Sequence, residues 1–297
     1  MVALGAALWA TDSLFRSSVA HSYPALVVVL MNHLLLLPVA LLLGFRHRAE
    51  LTRLSWTQWL SVTIIGGGGS VAATVAFTLA FSRATNYSVP VLMQKLQPCF
   101  ALVLARVILK ESLPRYFGWL ALLGIGGAYL LSFGLRGSWE SLASEDLGVV
   151  GYSLLAAATW GACTVFGRLA LRGLSFPAVT AARFILGSAC AVVALGIFTP
   201  DAIKEVAKLG AVSAGDARAF AGMAYLSGLL PMLIYYRGLQ TTPASVATLC
   251  ELSFPLVAVL LNWIWLGSAL NLGQLLGAAL VVTAITLVSL PKVRTAS

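Results

Sequence analysis

The sequence predicts an all-helical (all-α) integral membrane protein, with ten transmembrane helices arranged as two inverted five-helix repeats. Three observations carry this. The 297 residues are 60% hydrophobic and only 10% charged, far below the roughly 25% charge of an average soluble domain. Apolar runs bounded by proline, glycine and charge recur along the whole length, leaving room for about ten spans of about 20 residues and for no soluble domain of ordinary size. Motifs of the first half also reappear in the second.

Span 2–17 holds Trp9 and Asp12; Ser18-Val19-Ala20 after it weakly resembles a leader cleavage site, but no cationic segment precedes the apolar run, so a cleavable leader is not expected. Span 24–45 opens at Pro24 and ends before Arg46, and 57–82 contains Gly66 to Gly69 and closes at Arg83. Span 87–109 carries Pro90, Lys95 and Pro98 and ends at Lys110-Glu111. Span 115–135 lies between Arg115 and Arg136, and 148–170 follows Asp146 and contains Trp160. Span 177–198 opens at Pro177 and includes Arg183; 217–238 follows Asp216 and contains Pro231. Span 243–266 opens at Pro243 and holds Glu251 and Pro255; 271–290 carries Gly273-x3-Gly277.

The formal charge of +9 is spread singly and in pairs at span ends, which excludes a nucleic-acid face and marks topology. With the N-terminus inside, Arg46, Arg48, Arg53, Lys110, Arg115, Arg172, Arg237, Lys292 and Arg294 fall on the cytoplasmic side. The other side holds Arg16, Arg83, Arg136, Lys204, Lys208 and Arg218 together with most of the acids. The positive-inside bias therefore places both termini in the cytoplasm. Cys99, Cys163, Cys190 and Cys250 all lie in apolar spans without zinc-ligand or disulfide spacing and read as small hydrophobes.

The repeat is visible residue by residue. Trp9-x5-Phe15 recurs as Trp160-x5-Phe166, and Pro24 as Pro177. Ser88–Leu104 aligns with Ser245–Leu261, matching Pro98 to Pro255. The boundaries are a first repeat 1–136, a connecting loop 137–147 and a second repeat 148–297. Five spans is an odd number, so the second repeat enters the membrane from the opposite side.

The small-residue opening, central Pro98 and terminal Lys110-Glu111, followed by Gly118, resemble the EamA-type domain of the drug/metabolite transporter (DMT) superfamily. The segment with Trp160, Pro177 and Arg183 resembles the opening of a second such domain, and the resemblance covers nearly the whole chain. It implies ten helices, a central cavity, and export of small metabolites, often amino acids. Ser268 stands where Glu111 would recur, a departure from two-fold repetition of that acid.

Asp12, Lys95 and Glu251 are the ionisable residues placed well inside the hydrocarbon, where a charge costs at least about 2.5–3.5 kcal/mol without a partner. Two readings stand open. Lys95 and Glu251 form a structural ion pair, with Asp12 capped by nearby Thr11, Ser13 or Arg16, or they present opposite charges to a zwitterionic substrate. In the proline-anchored register Glu251 matches Gln94, so the two charges are about 100° apart in helical phase. Ser88, Leu92 and Cys99 share the Lys95 face and Thr248 the Glu251 face, forming the expected walls. Trp9 and Trp160 read either as cavity stackers or as interfacial anchors. Arg183 is expected to snorkel to the headgroups, and Tyr235 and Tyr236 to sit at the interface.

The substrate-binding set is thus Lys95, Glu251, Asp12, Trp9, Trp160, Ser88, Leu92, Cys99 and Thr248. No phosphate-binding loop, HExxH or nucleophile elbow appears, so no catalytic residue, metal or cofactor is expected. The function read here is secondary transport of small amphipathic metabolites, foremost amino acids, outward across the inner membrane by alternating access. The rivals are a phosphorylated-metabolite exchanger and a non-transporting scaffold or intramembrane enzyme. The expected partners are a small-molecule substrate and the bilayer, with a homodimer through the last helix and no nucleic acid.

Overall fold

The computed structural model describes residues 1–19, 22–85, 88–113, 115–135, 146–199, 201–207, 210, 212–266 and 270–290, and no strand occurs among them. Helices α1 (Val2–Trp9) and α2 (Asp12–Val19) form one broken element, with the Thr11 hydroxyl donating to the Leu8 carbonyl at 2.7 Å in the break. Helix α3 (Ala25–Arg46) starts directly after Pro24 and is followed by α4 (Arg48–Leu51). Helix α5 (Trp56–Thr63) begins with a Ser55/Gln58 capping box, passes through a π-helical stretch Ile64–Ala72, and continues as α6 (Ala73–Arg83). Then come α7 (Ser88–Gln94), α8 (Gln97–Ile108) and α9 (Phe117–Phe133), the last stopped by Gly134 at φ 65°.

In the remainder, α10 (Leu147–Ala170) is capped by Asp146, and α11 (Phe176–Phe198) by Ser175. A short α12 (Ala202–Ala207) precedes α13 (Ala214–Ala221), which runs through a second π-helical stretch, Gly222–Leu229, into α14 (Leu230–Leu239). Helices α15 (Ala244–Cys250), α16 (Ser253–Leu266) and α17 (Leu272–Ser289) complete the chain. Eight stretches of the described residues are long and apolar enough to cross a bilayer, and α9 is a shorter apolar helix. This is a multi-pass membrane protein. Span 2–17, expected as one helix, is two.

The prolines explain where the other two broken helices part. Proline has no N–H, so Pro98 cannot bond the Gln94 carbonyl, nor Pro255 the Glu251 carbonyl. The chain leaves helical geometry at Lys95-Leu96 and at Glu251-Leu252. The ionisable residues therefore sit in the breaks themselves, where freed backbone groups and side chains can face a polar cavity.

Packing uses small residues. Helices α9 and α17 lie against each other, and a Cβ on Gly277 would stand 2.7 Å from the Gly127 carbonyl oxygen. The Gly273-x3-Gly277 face is thus occupied by α9 within the chain, so a second protomer would have to use another side of the last helix. Gly66 approaches α11 so closely that a Cβ there would lie 2.9 Å from the Arg183 carbonyl oxygen. The glycine run thus combines close helix approach with a local departure from α-helical bonding.

At one end of the bundle Glu50 closes the N-terminus of α11. Its carboxylate accepts the Ser175 N–H at 2.7 Å and the Ser175 hydroxyl at 2.9 Å, with His47 Nδ1 at 2.8 Å. Burial pushes the Glu50 carboxyl up, but these hydrogen bonds outweigh it and hold the group below its ordinary value. A carboxyl depressed in the folded state contributes stability that is complete above the unfolded value and is lost as pH falls through the folded one. Glu50→Gln is therefore expected to flatten the acid-side fall in melting temperature below about pH 4.5, measured by thermal unfolding in detergent. An unchanged profile would remove Glu50 from the account.

Candidate functional site

The three broken elements converge. A central cavity of about 300 Å³ is lined from α1 by Trp9, from the α7–α8 break by Gln94, Lys95 and Gln97, and from the α15–α16 break by Glu251 and Leu252. Helix α10 adds Trp160, Cys163 and Thr164, α11 adds Arg183, and α14 adds Met232, Tyr235 and Tyr236. A second cavity of about 570 Å³ shares Trp9, Trp160, Arg183 and Met232 with the first and extends past Asp12 to Arg16, Ala25 and Phe81. It forms a vestibule toward the end of the bundle where α2 stops and α3 starts.

Glu251 gathers hydrogen bonds from three helices. Its Oε1 accepts the Tyr235 phenol at 2.6 Å and the Thr164 hydroxyl at 2.9 Å, and its Oε2 accepts Gln97 Nε2 at 3.3 Å. These donors are neutral. The ion pairs among the described residues are Arg16–Asp12, His47–Glu50 and Lys204–Asp201, so Lys95 and Glu251 do not form one. Both nevertheless line the same cavity, each from the break of its own helix.

Trp160 is fixed by the π-helical stretch. Its indole N–H donates to the Gly69 carbonyl at 3.0 Å, and its ring stands edge-on to Phe77 at 5.3 Å. The accepting carbonyl lies within the π-helical stretch, where the regular i→i−4 ladder is altered. Trp9 packs against Tyr235 with ring centroids 4.9 Å apart. Arg183 donates through Nη1 to the Tyr236 hydroxyl at 3.1 Å, while its Nε is buried without a partner, as is the Thr248 hydroxyl.

Of the residues singled out from sequence, Lys95, Glu251, Trp9, Trp160 and Thr248 meet on the central cavity. Asp12 instead lines the vestibule, ion-paired to Arg16 one turn along α2. Leu92 does not line either cavity: it is buried with Ala80, Val89 and Val149. Cys99 is half-buried in α8 and also lies off both linings. Both departures have one cause, since faces extrapolated from Lys95 assume an unbroken helix and the break at Lys95-Leu96 resets the phase. Ser88 opens α7, and its side chain lies outside the described residues, as does Tyr87.

Three further corrections concern residues assigned to the interface. Arg183 lies inside on both cavities, because the glycines of the π-helical stretch let α11 come close. Tyr235 and Tyr236 are 4% and 1% exposed and face the central cavity. Gln94, Gln97 and Thr164 join the site beyond the set read from sequence; for the two glutamines the signal is a polar side chain close to Lys95 in an apolar span.

A bundle with a polar cavity at the breaks of its helices, open by a vestibule toward one end, is the arrangement of a membrane transporter. The EamA-like transporter family model matches residues 1–133 and 147–290, and the chain belongs to that family. It is 33% identical over 299 residues to the riboflavin transporter ImpX of Fusobacterium nucleatum, across 97% of this chain and 96% of that protein. It is 26% identical over 231 residues to the uncharacterized transporter YyaM of Bacillus subtilis, covering 74% of this chain and 72% of that one. A crystal structure matches with a TM-score of 0.76 at 17% identity, across 97% of this chain and 95% of that chain, a likeness of fold alone. The chain is a transporter and not an enzyme.

Proposed function

We propose that the chain moves a planar heteroaromatic metabolite of the flavin kind across the inner membrane by alternating access. The observation that carries this is the pair of indoles, Trp9 and Trp160, at the junction of cavity and vestibule, with hydrogen-bonding and charged groups around them. A tricyclic ring with an imide edge and a polyol chain needs aromatic faces for the ring and donors and acceptors for the rest. Similarity to ImpX over nearly the full length supports the same class. The amino-acid reading required Glu251 to await an ammonium, whereas its oxygens are engaged by Tyr235, Thr164 and Gln97.

The ten-span, inverted-repeat architecture, with repeats 1–136 and 148–297 joined by 137–147, belongs to this proposal. Broken helices at Lys95 and Glu251, π-helical stretches in α5–α6 and α13–α14, and two successive family matches support it. Both termini are placed in the cytoplasm, on the end that carries Arg46, Arg48, Arg53, Lys110 and Arg172. Direction, which the family resemblance gives as export, follows the substrate gradient and any proton coupling through Glu251. A second reading is a phosphorylated relative of the same substrate, because Arg183 joins Lys95 to put two cations on a wall with one acid.

The test is purified protein in liposomes with riboflavin, flavin mononucleotide and a panel of amino acids, each followed as flux and as competitor. The expected result is saturable riboflavin flux that amino acids do not compete. Riboflavin at background flux, with an amino acid transported instead, sinks the proposal; preference for the mononucleotide selects the second reading.

A further inference from the structure

Two carboxylates of the 1–133 segment each close a helix of the 147–290 segment, and both do so at the end of the bundle away from the vestibule. Glu111 is 8% exposed. Its Oε1 accepts the Ala244 N–H at 2.7 Å, and its Oε2 accepts the Ser245 N–H at 3.0 Å and the Ser245 hydroxyl at 2.6 Å. Ala244 is the first residue of α15, and the preceding Pro243 has no side-chain acceptor to cap it. The first orphan N–H groups of α15 are thus satisfied from across the molecule. Glu50 does the same for α11 through Ser175.

The backbone is bent to deliver Glu111. Lys110 sits at φ 55°, the one non-glycine residue with positive φ among those described, a conformation that a side chain disfavours. Such strain persists where surrounding contacts over-determine it. Here Arg106 Nη1 holds the Glu111 carbonyl at 3.1 Å, and Arg172 Nη2 reaches across to the Leu109 carbonyl at 3.4 Å. At the opposite end the described cross-segment contacts use neutral or long pairings: Thr11 meets Ser227 at 3.0 Å, and Tyr23 to Asp216 and Arg83 to Tyr152 are each 3.5 Å. Neither cavity is lined by Glu50, Glu111, Ser175, Ala244 or Ser245.

We propose that Glu111, seconded by Glu50, is the latch of the closed gate, and that opening toward this end requires its carboxylate to leave the N-terminus of α15. The inference rests on the alternating-access reading above. Its mechanical content is short. Helix α15 has seven residues, with Glu111 on its first turn and Glu251 just past its last, so releasing one end moves the residue that organises the site. The second latched helix, α11, carries Arg183, which joins the gate to the site by the same logic.

The test reads sidedness. In a background with Cys99, Cys163, Cys190 and Cys250 replaced by alanine and shown to transport riboflavin, Gln94→Cys on the cavity wall is labelled with a membrane-impermeant maleimide. Labelling is applied from each side of oriented vesicles. The intact latch is expected to give labelling mainly from the vestibule side. Glu111→Gln should raise the rate from the latched side at least fivefold, and Ser245→Ala, which keeps the carboxylate, should shift it less in the same direction. Glu111→Asp should partly restore the original ratio. If both variants lower the melting temperature but leave the labelling ratio unchanged, Glu111 is a structural cap and the latch is overturned. Should Gln94→Cys label from neither side in the parent background, no water-filled path exists, and the transport reading falls together with the gate.

Discussion

Glu251→Ala is expected to abolish substrate flux, and Glu251→Gln to cut it by more than tenfold, with the protein still monodisperse and folded. The carboxylate is the shared acceptor of Tyr235, Thr164 and Gln97, drawn from α14, α10 and the start of α8. Alanine leaves those three donors without their acceptor, and a buried orphaned donor costs about 1–3 kcal/mol. Glutamine has one acceptor oxygen where two are in use, and its amide N–H2 opposes a donor. Each hydrogen bond to the charged group contributes about 1.5–3 kcal/mol, so losing one accounts for a tenfold fall or more. Flux and melting temperature measured on the same preparations separate the site from the fold. Wild-type flux in Glu251→Gln would place the carboxylate outside the transport cycle.

The second large effect belongs to the indoles. Stacking of a planar ring on an aromatic side chain is worth about 1–3 kcal/mol per contact, so Trp9→Ala and Trp160→Ala are each expected to weaken riboflavin binding about tenfold or more. The double variant should lose measurable binding. Trp160→Phe discriminates between roles: it keeps a ring facing Phe77 but cannot donate to the Gly69 carbonyl. Recovery of most of the affinity in Trp160→Phe assigns the residue to stacking, and loss equal to alanine assigns it to holding the π-helical stretch. Unchanged affinity in both alanine variants defeats the aromatic reading of the cavity. Equilibrium titration of flavin fluorescence measures all four.

Much of this layout can be read from the chain because it is written in residues with no alternative use. Pro98 and Pro255 each remove a backbone hydrogen bond within a span, as Pro38 does without breaking α3, and Lys95 and Glu251 are expensive in hydrocarbon unless a cavity receives them. What cannot be read is helical phase beyond a break. Leu92 and Cys99 were placed on the Lys95 face by counting at 3.6 residues per turn, and that count ends at Gln94. Arg183 and the tyrosines illustrate a second limit. A cation near one end of an apolar run looks free to snorkel, and only the approach of α11 to Gly66 turns it inward. The π-helical stretches belong to the same category, because their spacing depends on what packs against them.

The pair α9 and α17 was described by the glycines that join it; its length matters as well. With 17 and 18 residues the two helices rise about 26 and 27 Å, a few ångströms short of a hydrocarbon layer of about 30 Å. Lipid beside this pair must thin, or flanking residues must stretch, and each costs a fraction of a kcal/mol per ångström. Helices α3, α10 and α11, with 22, 24 and 23 residues, carry no such deficit, so the mismatch is uneven around the molecule. Bilayer thickness therefore acts unevenly on the protein, and acyl-chain length becomes a variable that loads one side of the bundle more than the other.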